Sequence, residues 1–498
     1  MFRILSITIN KHPLLEGKTF KLTNPDELKT SNYYSIIIGP NGTGKSYLLS
    51  YLIEVFNEIA LTKSDSYFVT KKKFSLTYLL DKENFEIVAD RGMFIFHKNG
   101  YKVDIEEISL PSKWLASSVT INDKYPILNY IRTKQIPDYK YLGIRAATNN
   151  AFIGKIKINA VSYFIEALKT NKSKSLLSVL SSLELNPEVQ IIFIGGPMLK
   201  LEKKERRFVV YKNSNKILDP HNAFIKKNKS KPSYRADNYK KYIENYSAIE
   251  DVHEFFTLRR SSFEKASKSA MRLNYSVDLK TETGINQLLH DWKVLSIMLD
   301  LELLKISDFL ITKDKTFNYE QASSGENHLL TSLLGIVSNL EDNSMVIIDE
   351  PEISLHPNWQ IDYLDILKRI INLHKGVNVV IATHSHFLIS SLKDEESRIV
   401  SMRRDQETKE IKIEELDFET YGWDPESILY NVFEVATMRN KYFELDLRNL
   451  ISHISSKSVE TTEIRRLIDK LERYIMPNQD DPLRLVIQQS EKYLKNLN

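Results

Sequence analysis

Residues 34–46 read Tyr34-Ser-Ile-Ile-Ile-Gly-Pro-Asn-Gly-Thr-Gly-Lys-Ser46, a β-rich apolar run that ends on the pattern GxxxxGK[ST]. The run predicts a strand, and Ser46 to Ala60 has the apolar spacing of a helix. A strand feeding a glycine-rich loop that opens a helix is the setting in which backbone N–H groups point inward at a phosphate. The helix N-terminus adds positive partial charge, Lys45 reaches the β- and γ-oxygens, and Ser46 would hold Mg2+. Gly39, Asn41, Gly42, Thr43, Gly44, Lys45, Ser46 and Tyr47 are therefore the candidate nucleotide-binding residues. An ordinary glycine turn before a helix is the simpler alternative, but three of the chain's 15 glycines fall within these few positions.

Three further motifs extend this reading. Ser344-Met-Val-Ile-Ile-Asp-Glu350 is an apolar strand ending in paired carboxylates. That arrangement supports Mg2+ through Asp349 and orients or deprotonates a water through Glu350; a solvated strand end is the alternative. Ala322-Ser-Ser-Gly-Glu326 precedes a helical run from Asn327 to Leu340. A capping box accounts for Ser323 with Glu326, and the free N–H groups of the same helix start could meet a phosphate. Ala382-Thr-His-Ser-His386 closes another apolar strand, and a histidine at the C-terminal edge of a parallel sheet lies in the ligand crevice. His384 is thereby placed to contact the γ-phosphate. A structural histidine, or metal binding by His384 with His386, are the alternatives.

Composition narrows the classes. With 498 residues and 42% hydrophobic content the chain supports two to three domains with ordinary cores. No run approaches a membrane-spanning length and the N-terminus lacks a signal-peptide pattern, so a cytoplasmic protein that does not engage membranes is expected. The absence of cysteine removes disulfides, thiolate nucleophiles, zinc ribbons and iron–sulfur clusters together. The 69 Lys and Arg against 65 Asp and Glu leave only +4. Lys200–Lys241, however, holds fourteen cations against four acids, interleaved with Phe208, Tyr211, Phe224, Tyr234 and Tyr239. Such a strip suits phosphate contacts plus base stacking, a possible nucleic-acid surface; a solvated loop is the alternative.

Along the chain, residues 2–9 read as a strand and 74–105 as antiparallel hairpins. Ile158 to Leu185 is helically spaced and Val189–Ile194 is a strand. Met345–Ile348 and Val377–Ile381 suit central parallel strands. Residues 200–320 read as a long insertion with a helical second half, and Arg398–Glu414 as a hairpin opening a charged, mostly helical tail. The expected fold is α/β, with a head split between 1–150 and 318–392. A helical and basic insertion would occupy 151–317, and a C-terminal hairpin and helical appendage 393–498, a possible partner-docking region.

Taken in order, GPNGTGKS, ASSGE, VIIDEPEISLHP and ATHSH resemble the head of ABC-type ATPases, in the soluble branch containing SMC, RecF and OLD-like proteins. The resemblance covers mainly residues 1–60 and 318–392. It implies a P-loop ATPase head with a central parallel sheet and an antiparallel β-subdomain, with ATP and Mg2+ as cofactors. Lys45 and Ser46 match Walker A, Asp349 and Glu350 Walker B, Ser323 and Gly325 the signature, Ser354 to His356 the D-loop, and His384 the switch histidine. Glu350 and His384 are then the catalytic candidates, and Ser46 and Asp349 the metal ligands. Gln135 and Asn149 are the candidates for the Q-loop. The resemblance further implies a head-to-head homodimer or higher homo-oligomer, each signature completing the other copy's ATP site. DEPEISLHP and ASSGE depart from the DEPTSALD and LSGGQ of transport subunits.

Together with Tyr421-Gly-Trp-Asp-Pro-Glu-Ser-Ile-Leu429, these variants look like the ATPase subunits of Septu-type anti-phage systems (PtuA). Those subunits work with an HNH nuclease, PtuB, and some are attached to retrons. The implied function is a slowly hydrolysing ATPase that restrains an HNH-type nuclease. A RecF- or SMC-like DNA-clamping ATPase, or an AriA-like sensor of PARIS systems with a Toprim nuclease partner, are the competing readings. Residues 393–498 show no Toprim arrangement, with Glu415 and Asp417 read as surface carboxylates, and His356-Pro-Asn358 lies in the D-loop stretch rather than in an HNH finger. No intrinsic nuclease domain is recognised, so the cutting step would fall to a partner.

Overall fold

The computed structural model describes residues 1–498 outside 25–29, 65–67, 121, 128–135, 146–152, 196–200, 203–206, 209–250, 253, 256–257, 259–262, 266–270, 301–302, 312–322, 406, 417–419, 421, 424–426, 430–431, 433–440, 457–458, 474–482 and 498. Apart from 201–202 and 207–208, the basic strip Lys200–Lys241 lies outside the described residues, as do Gln135, Asn149 and parts of the 421–429 motif. The chain divides into two compact units, Met1–Gly422 and Trp423–Asn498.

The first unit begins with strands β1 (Phe2–Ile9), β2 (Lys18–Lys21) and β3 (Tyr33–Ile38) and helix α1 (Lys45–Ser64). Strands β4 (Phe74–Leu80), β5 (Glu83–Asp90), β6 (Met93–Lys98), β7 (Tyr101–Val103), β8 (Trp114–Ser118) and β9 (Tyr139–Tyr141) follow. Then come α2 (Ile153–Lys169), α3 (Ser173–Ser182), β10 (Glu188–Gly195), β11 (Leu201–Glu202), β12 (Arg207–Phe208), β13 (Phe263–Lys265) and β14 (Met271–Asp278). The unit continues through α4 (Thr283–Asp300), β15 (Leu304–Ile311), α5 (Ser324–Asn339), β16 (Met345–Asp349), α6 (Pro357–Ile371), β17 (Asn378–Thr383), β18 (Ser397–Arg404) and β19 (Ile411–Leu416).

Among the described residues one sheet has seven strands in the order β19-β18-β3-β17-β16-β8-β9, parallel throughout except for the β18–β19 pair. Every residue of β3, β8, β16 and β17 is buried, which is why these strands read as near-continuous apolar runs rather than alternating ones. A six-stranded antiparallel sheet, β2-β1-β4-β5-β6-β7, supplies the other layer, and its alternating burial on β4 matches the alternation in sequence. Helix α1 lies in the core that the two sheets share, with Leu48, Leu49, Leu52, Ile53, Val55, Phe56 and Ile59 buried. Phe56 touches Phe2 and Tyr78 of one sheet, at 5.8 Å between centroids in each case, and Trp114 of the other at 6.3 Å. Asn57 accepts the Trp114 indole N–H at 2.7 Å. The helix that the glycine loop opens is therefore fixed from both sides.

The junction of the two sheets holds a buried arginine. Arg3 is buried and donates to the carbonyls of Phe2 and Val377 at 2.6 and 3.0 Å, and of Thr30 and Ser31 at 3.2 and 2.5 Å. Burial lowers its guanidinium to about 10. Ile4 N–H donates to the Asn378 side chain at 2.9 Å, so β1 is pinned to the start of β17.

Two expectations need correction. The hairpin at Arg398–Glu414 belongs to the edge of the seven-stranded sheet, not to the C-terminal appendage, because β18 pairs with β3 in parallel from Ser397–Tyr34 to Ser401–Ile38. Residues 151–317 are not helix alone: β10 is the centre of an antiparallel sheet in the order β13-β14-β10-β15, beside α2, α3 and α4. A strand exchanging hydrogen bonds with partners about 80 and 115 residues downstream gives no local sign of which sheet it joins. The second unit is helical: α7 (Lys441–Ser455), α8 (Thr461–Glu472) and α9 (Leu483–Leu497) enclose Leu450, Ile464, Leu467, Ile468, Leu471, Ile487 and Leu494. Glu415, in the first unit, takes the Arg398 guanidinium and lies 3.4 Å from Lys21.

Among the described residues no helix is long and apolar enough to cross a membrane.

Candidate functional site

Parallel register brings the motif-bearing strand ends to one edge. Thr383 pairs with Ile38, Ala382 with Asp349, and Asp349 with Ser118, so the loops that leave β3, β17, β16 and β8 emerge side by side. In an open α/β sheet this carboxyl edge is where ligands bind.

The loop after β3 is shaped by close approach. At Gly39, φ is +147° and a Cβ would lie 2.1 Å from the Met402 carbonyl oxygen of β18. At Gly44, φ is +100° and a Cβ would press on Leu14 and Leu15 at 2.9 and 3.0 Å. Only glycine fits either position. The loop then delivers Lys45 and Ser46 as the first residues of α1.

Lys45 is 4% exposed, and its Nζ donates to the carbonyls of Gly39 and Pro40 at 2.8 and 3.3 Å. Burial lowers the ammonium to about 8, against the pull of Glu350, Asp349 and Glu352. His384 Nε2 lies 2.7 Å from Lys45 Nζ and 3.3 Å from Glu350 Oε1. One ring nitrogen cannot accept from the lysine and donate to the glutamate at once, so these three groups form a chain with two competing proton arrangements. The His384 hydrogen bond holds the Glu350 carboxyl below the usual range. Glu350 itself has φ +50°, a conformation uncommon outside glycine, at the point where the chain leaves β16.

Ser46 Oγ donates to Asp349 Oδ1 at 3.1 Å. Burial pushes the Asp349 carboxyl up to about 7, with Glu350 adding to the rise and Ser46 and Lys45 opposing it. The folded chain thus keeps this proton up to about pH 7, whereas the unfolded chain releases it near 3.8. Stability linked to Asp349 is therefore fully present below about pH 4 and is lost as the pH climbs to about 7. Asp349→Asn removes that loss. Its melting temperature should exceed the parent's by more at pH 8 than at pH 5 in nucleotide-free protein, and equal shifts at the two pH values would refute the burial argument.

The hydroxyl and carboxylate pair is a hard-oxygen donor set of the kind Mg2+ takes when phosphate oxygens and water complete its shell. The orientation of a buried carboxylate toward a serine at the loop fits that ion. Among the described residues no group of three or more His, Asp or Glu could hold a metal on its own. His386 instead packs on Phe387 at 4.0 Å between ring centroids.

Ser323 is exposed and caps α5 through a complete capping box: its Oγ accepts from Glu326 N–H at 3.2 Å, and Glu326 Oε2 accepts from Ser323 N–H at 2.9 Å. Gly325 packs on the turn after Glu350, where a Cβ would sit 2.0 Å from the Ser354 carbonyl oxygen. The described contacts of Ser323 and Gly325 are with their own helix and this turn, not with the Lys45 cluster. Asn41, Gly42, Thr43 and Tyr47 lie in or beside the loop; Thr43 donates to the Pro40 carbonyl at 2.9 Å. Two residues were not singled out from sequence. Glu352 is half-buried and accepts the His384 backbone N–H at 2.5 Å, fixing the turn after β17. Tyr125 is buried, and burial, followed by the charge of Asp349, pushes its phenol up. Glu352 stands three residues beyond Asp349 in the same motif; Tyr125, in an unpatterned loop, offered no signal.

Residues 183–390 match the family model described as "AAA domain, putative AbiEii toxin, Type IV TA system", a stretch that contains Asp349, Glu350 and His384. Over 137 residues the chain is 28% identical to Protein ea59 of Escherichia phage lambda, covering 28% of this chain and 25% of that protein. Over 238 residues it is 23% identical to the Retron Ec83 probable ATPase of Escherichia coli, covering 45% of this chain and 42% of that protein. The chain thus matches less than half the length of either relative. A solved structure, an Smc head domain with an extended coiled coil bound to the C-terminal domain of ScpA, derived from Pyrococcus furiosus, aligns at 11% identity and a TM-score of 0.34. The alignment covers 88% of this chain and 100% of that one.

Fold and site define an α/β P-loop ATPase-type domain. In sequence it is related to a retron ATPase and to the AbiEii-type AAA domain.

Proposed function

We propose that this chain binds and slowly hydrolyses ATP as the regulatory subunit of an anti-phage defence complex of the Septu (PtuA) kind, and that it restrains an HNH-type nuclease partner. The observation that carries the ATPase reading is the continuous chain Glu350–His384–Lys45 beside the Ser46–Asp349 pair at the sheet's carboxyl edge. Lys45 would exchange its two loop carbonyls for phosphate oxygens, and Ser46 with Asp349 would hold Mg2+. The ion, when bound, neutralises developing charge on the phosphates. Glu350 orients and polarises the attacking water, and His384 keeps Glu350 ionised while reaching the terminal phosphate.

Ser323 and Gly325 serve the other copy in this reading. The exposed Ser323 at the N-terminus of α5 supports a head-to-head dimer in which each α5 N-terminus meets the partner's nucleotide. The similarity to a retron ATPase supports the defence setting.

The test is co-expression with an HNH nuclease encoded beside the gene, followed by DNA cleavage assays as ATP is depleted. Cleavage that is silent with ATP and appears on depletion is expected. A nuclease that fails to co-purify, or that cuts regardless of ATP, would reject the regulatory part.

A further inference from the structure

The β7 edge of the six-stranded sheet carries none of the residues assigned to the nucleotide. Strand β7 pairs with β6 only from Phe96–Val103 to Lys98–Tyr101, so among the described residues Met93, Phe94 and Ile95 at the start of β6 have no strand beyond them. The chain leaves this edge at Asp104 for the 3-10 turn Ile105–Glu107. An apolar groove of about 580 Å³ opens here, with Phe68, Val69, Phe94, Phe96, Val103 and Ile105 among its walls. On the same strand as Val103, the Tyr101 ring is 78% exposed.

Asn99 and Gly100, at φ +51° and +83°, make the two-residue turn between β6 and β7, whose closing pair Lys98–Tyr101 is hydrogen-bonded. Alternation along β7 then turns the backbone groups of Tyr101 and Val103 toward β6 and those of Lys102 and Asp104 outward. Asp104 is still extended, at φ −82° and ψ 163°, and its side chain makes no capping bond to the turn that follows. Its carbonyl accepts Glu107 N–H at 3.2 Å and keeps a second lone pair. Among the described residues neither the Lys102 nor the Asp104 side chain has an ion-pair partner. A short edge strand with a lysine ordinarily discourages pairing. A carboxylate two residues further on makes this edge complementary to itself.

We propose that this edge joins a second copy of the chain, β7 against β7 in antiparallel order about a two-fold axis at Val103. Lys102 of each copy then faces Asp104 of the other, which forms two cross-strand ion pairs between residues whose N–H and C=O groups already point outward. Val103 meets its own counterpart, and each exposed Tyr101 is carried to the end of the other copy's groove where Ile105 lies. The contact needs no nucleotide, which separates it from a head-to-head pairing through α5.

Sedimentation of the full chain without nucleotide or Mg2+ is the test. The parent should form a particle of twice the monomer mass, and Lys45→Ala should dimerise as the parent does. Lys102→Glu and Asp104→Lys each set like charges opposite one another at both positions, and each should weaken dimerisation by about tenfold or more. The double variant Lys102→Glu/Asp104→Lys exchanges the two charges and should return to the parental dissociation constant. A parent that stays monomeric without nucleotide would overturn the inference and leave the groove to a partner of another kind. So would association that appears only with ATP and Mg2+, parental dimerisation in both single variants, or a double variant as weak as either single one.

Discussion

Glu350→Gln is expected to bind ATP as tightly as the parent and to hydrolyse it roughly 10^2- to 10^4-fold more slowly, the range lost when a positioned base is removed. The amide keeps the shape of the side chain but cannot take a proton, and it no longer offsets the charge of nearby Lys45. With turnover stopped and the phosphates still clamped, the ATP-bound dimer should accumulate, visible as a doubled mass in the presence of ATP and Mg2+. Under the restraint reading the same variant should keep its nuclease partner silent long after parental complexes have exhausted their ATP. Hydrolysis at the parental rate would remove Glu350 from the role of base, and the left-handed backbone at this residue would then need another account.

Lys45→Ala should act at the binding step. The ammonium is almost wholly withdrawn from water and is poised between two loop carbonyls and His384. Truncating one side of a buried, hydrogen-bonded charge pair costs about 3 kcal/mol, or roughly a hundredfold in affinity. Titration with a fluorescent ATP analogue would show this directly. Because the restraint is assigned to the ATP-bound form, the variant should release the nuclease without infection, producing toxicity when both are expressed together. Growth indistinguishable from the parental pair would argue that nucleotide does not restrain the partner.

The parts of this site that were legible in the sequence are those in which chemistry and local structure coincide. Gly39–Ser46 is at once a turn that requires glycines and, in the proposed reading, a phosphate cradle, and Met345–Glu350 is at once a buried strand and a carboxylate pair. Ser323 with Glu326 was legible as a cap for the same reason, and the cap is present. What depends on distant pairing was not legible. The alternation in Leu304–Ile311 is weak and follows a helix, so β15 was absorbed into a helical insertion, and β18 gave no sign that its neighbour would be the strand before the glycine loop. The buried cluster around Tyr125 was invisible because Asp123, Tyr141 and Arg145 meet only after β8 and β9 have paired.

The position of β3 has a consequence for how the protein is made. Its two neighbours, β17 and β18, begin at residues 378 and 397, so the segment bearing the phosphate loop leaves the ribosome long before either exists. At about 10 residues per second the wait is on the order of half a minute. During it, an apolar ribbon with bare edges must be shielded by chaperones or by nascent packing against α1. A message cut short anywhere before residue 378 would yield a polypeptide with a glycine loop but without the strands β17 and β18 that flank β3. A prematurely terminated copy would therefore carry the loop without the strands that flank it.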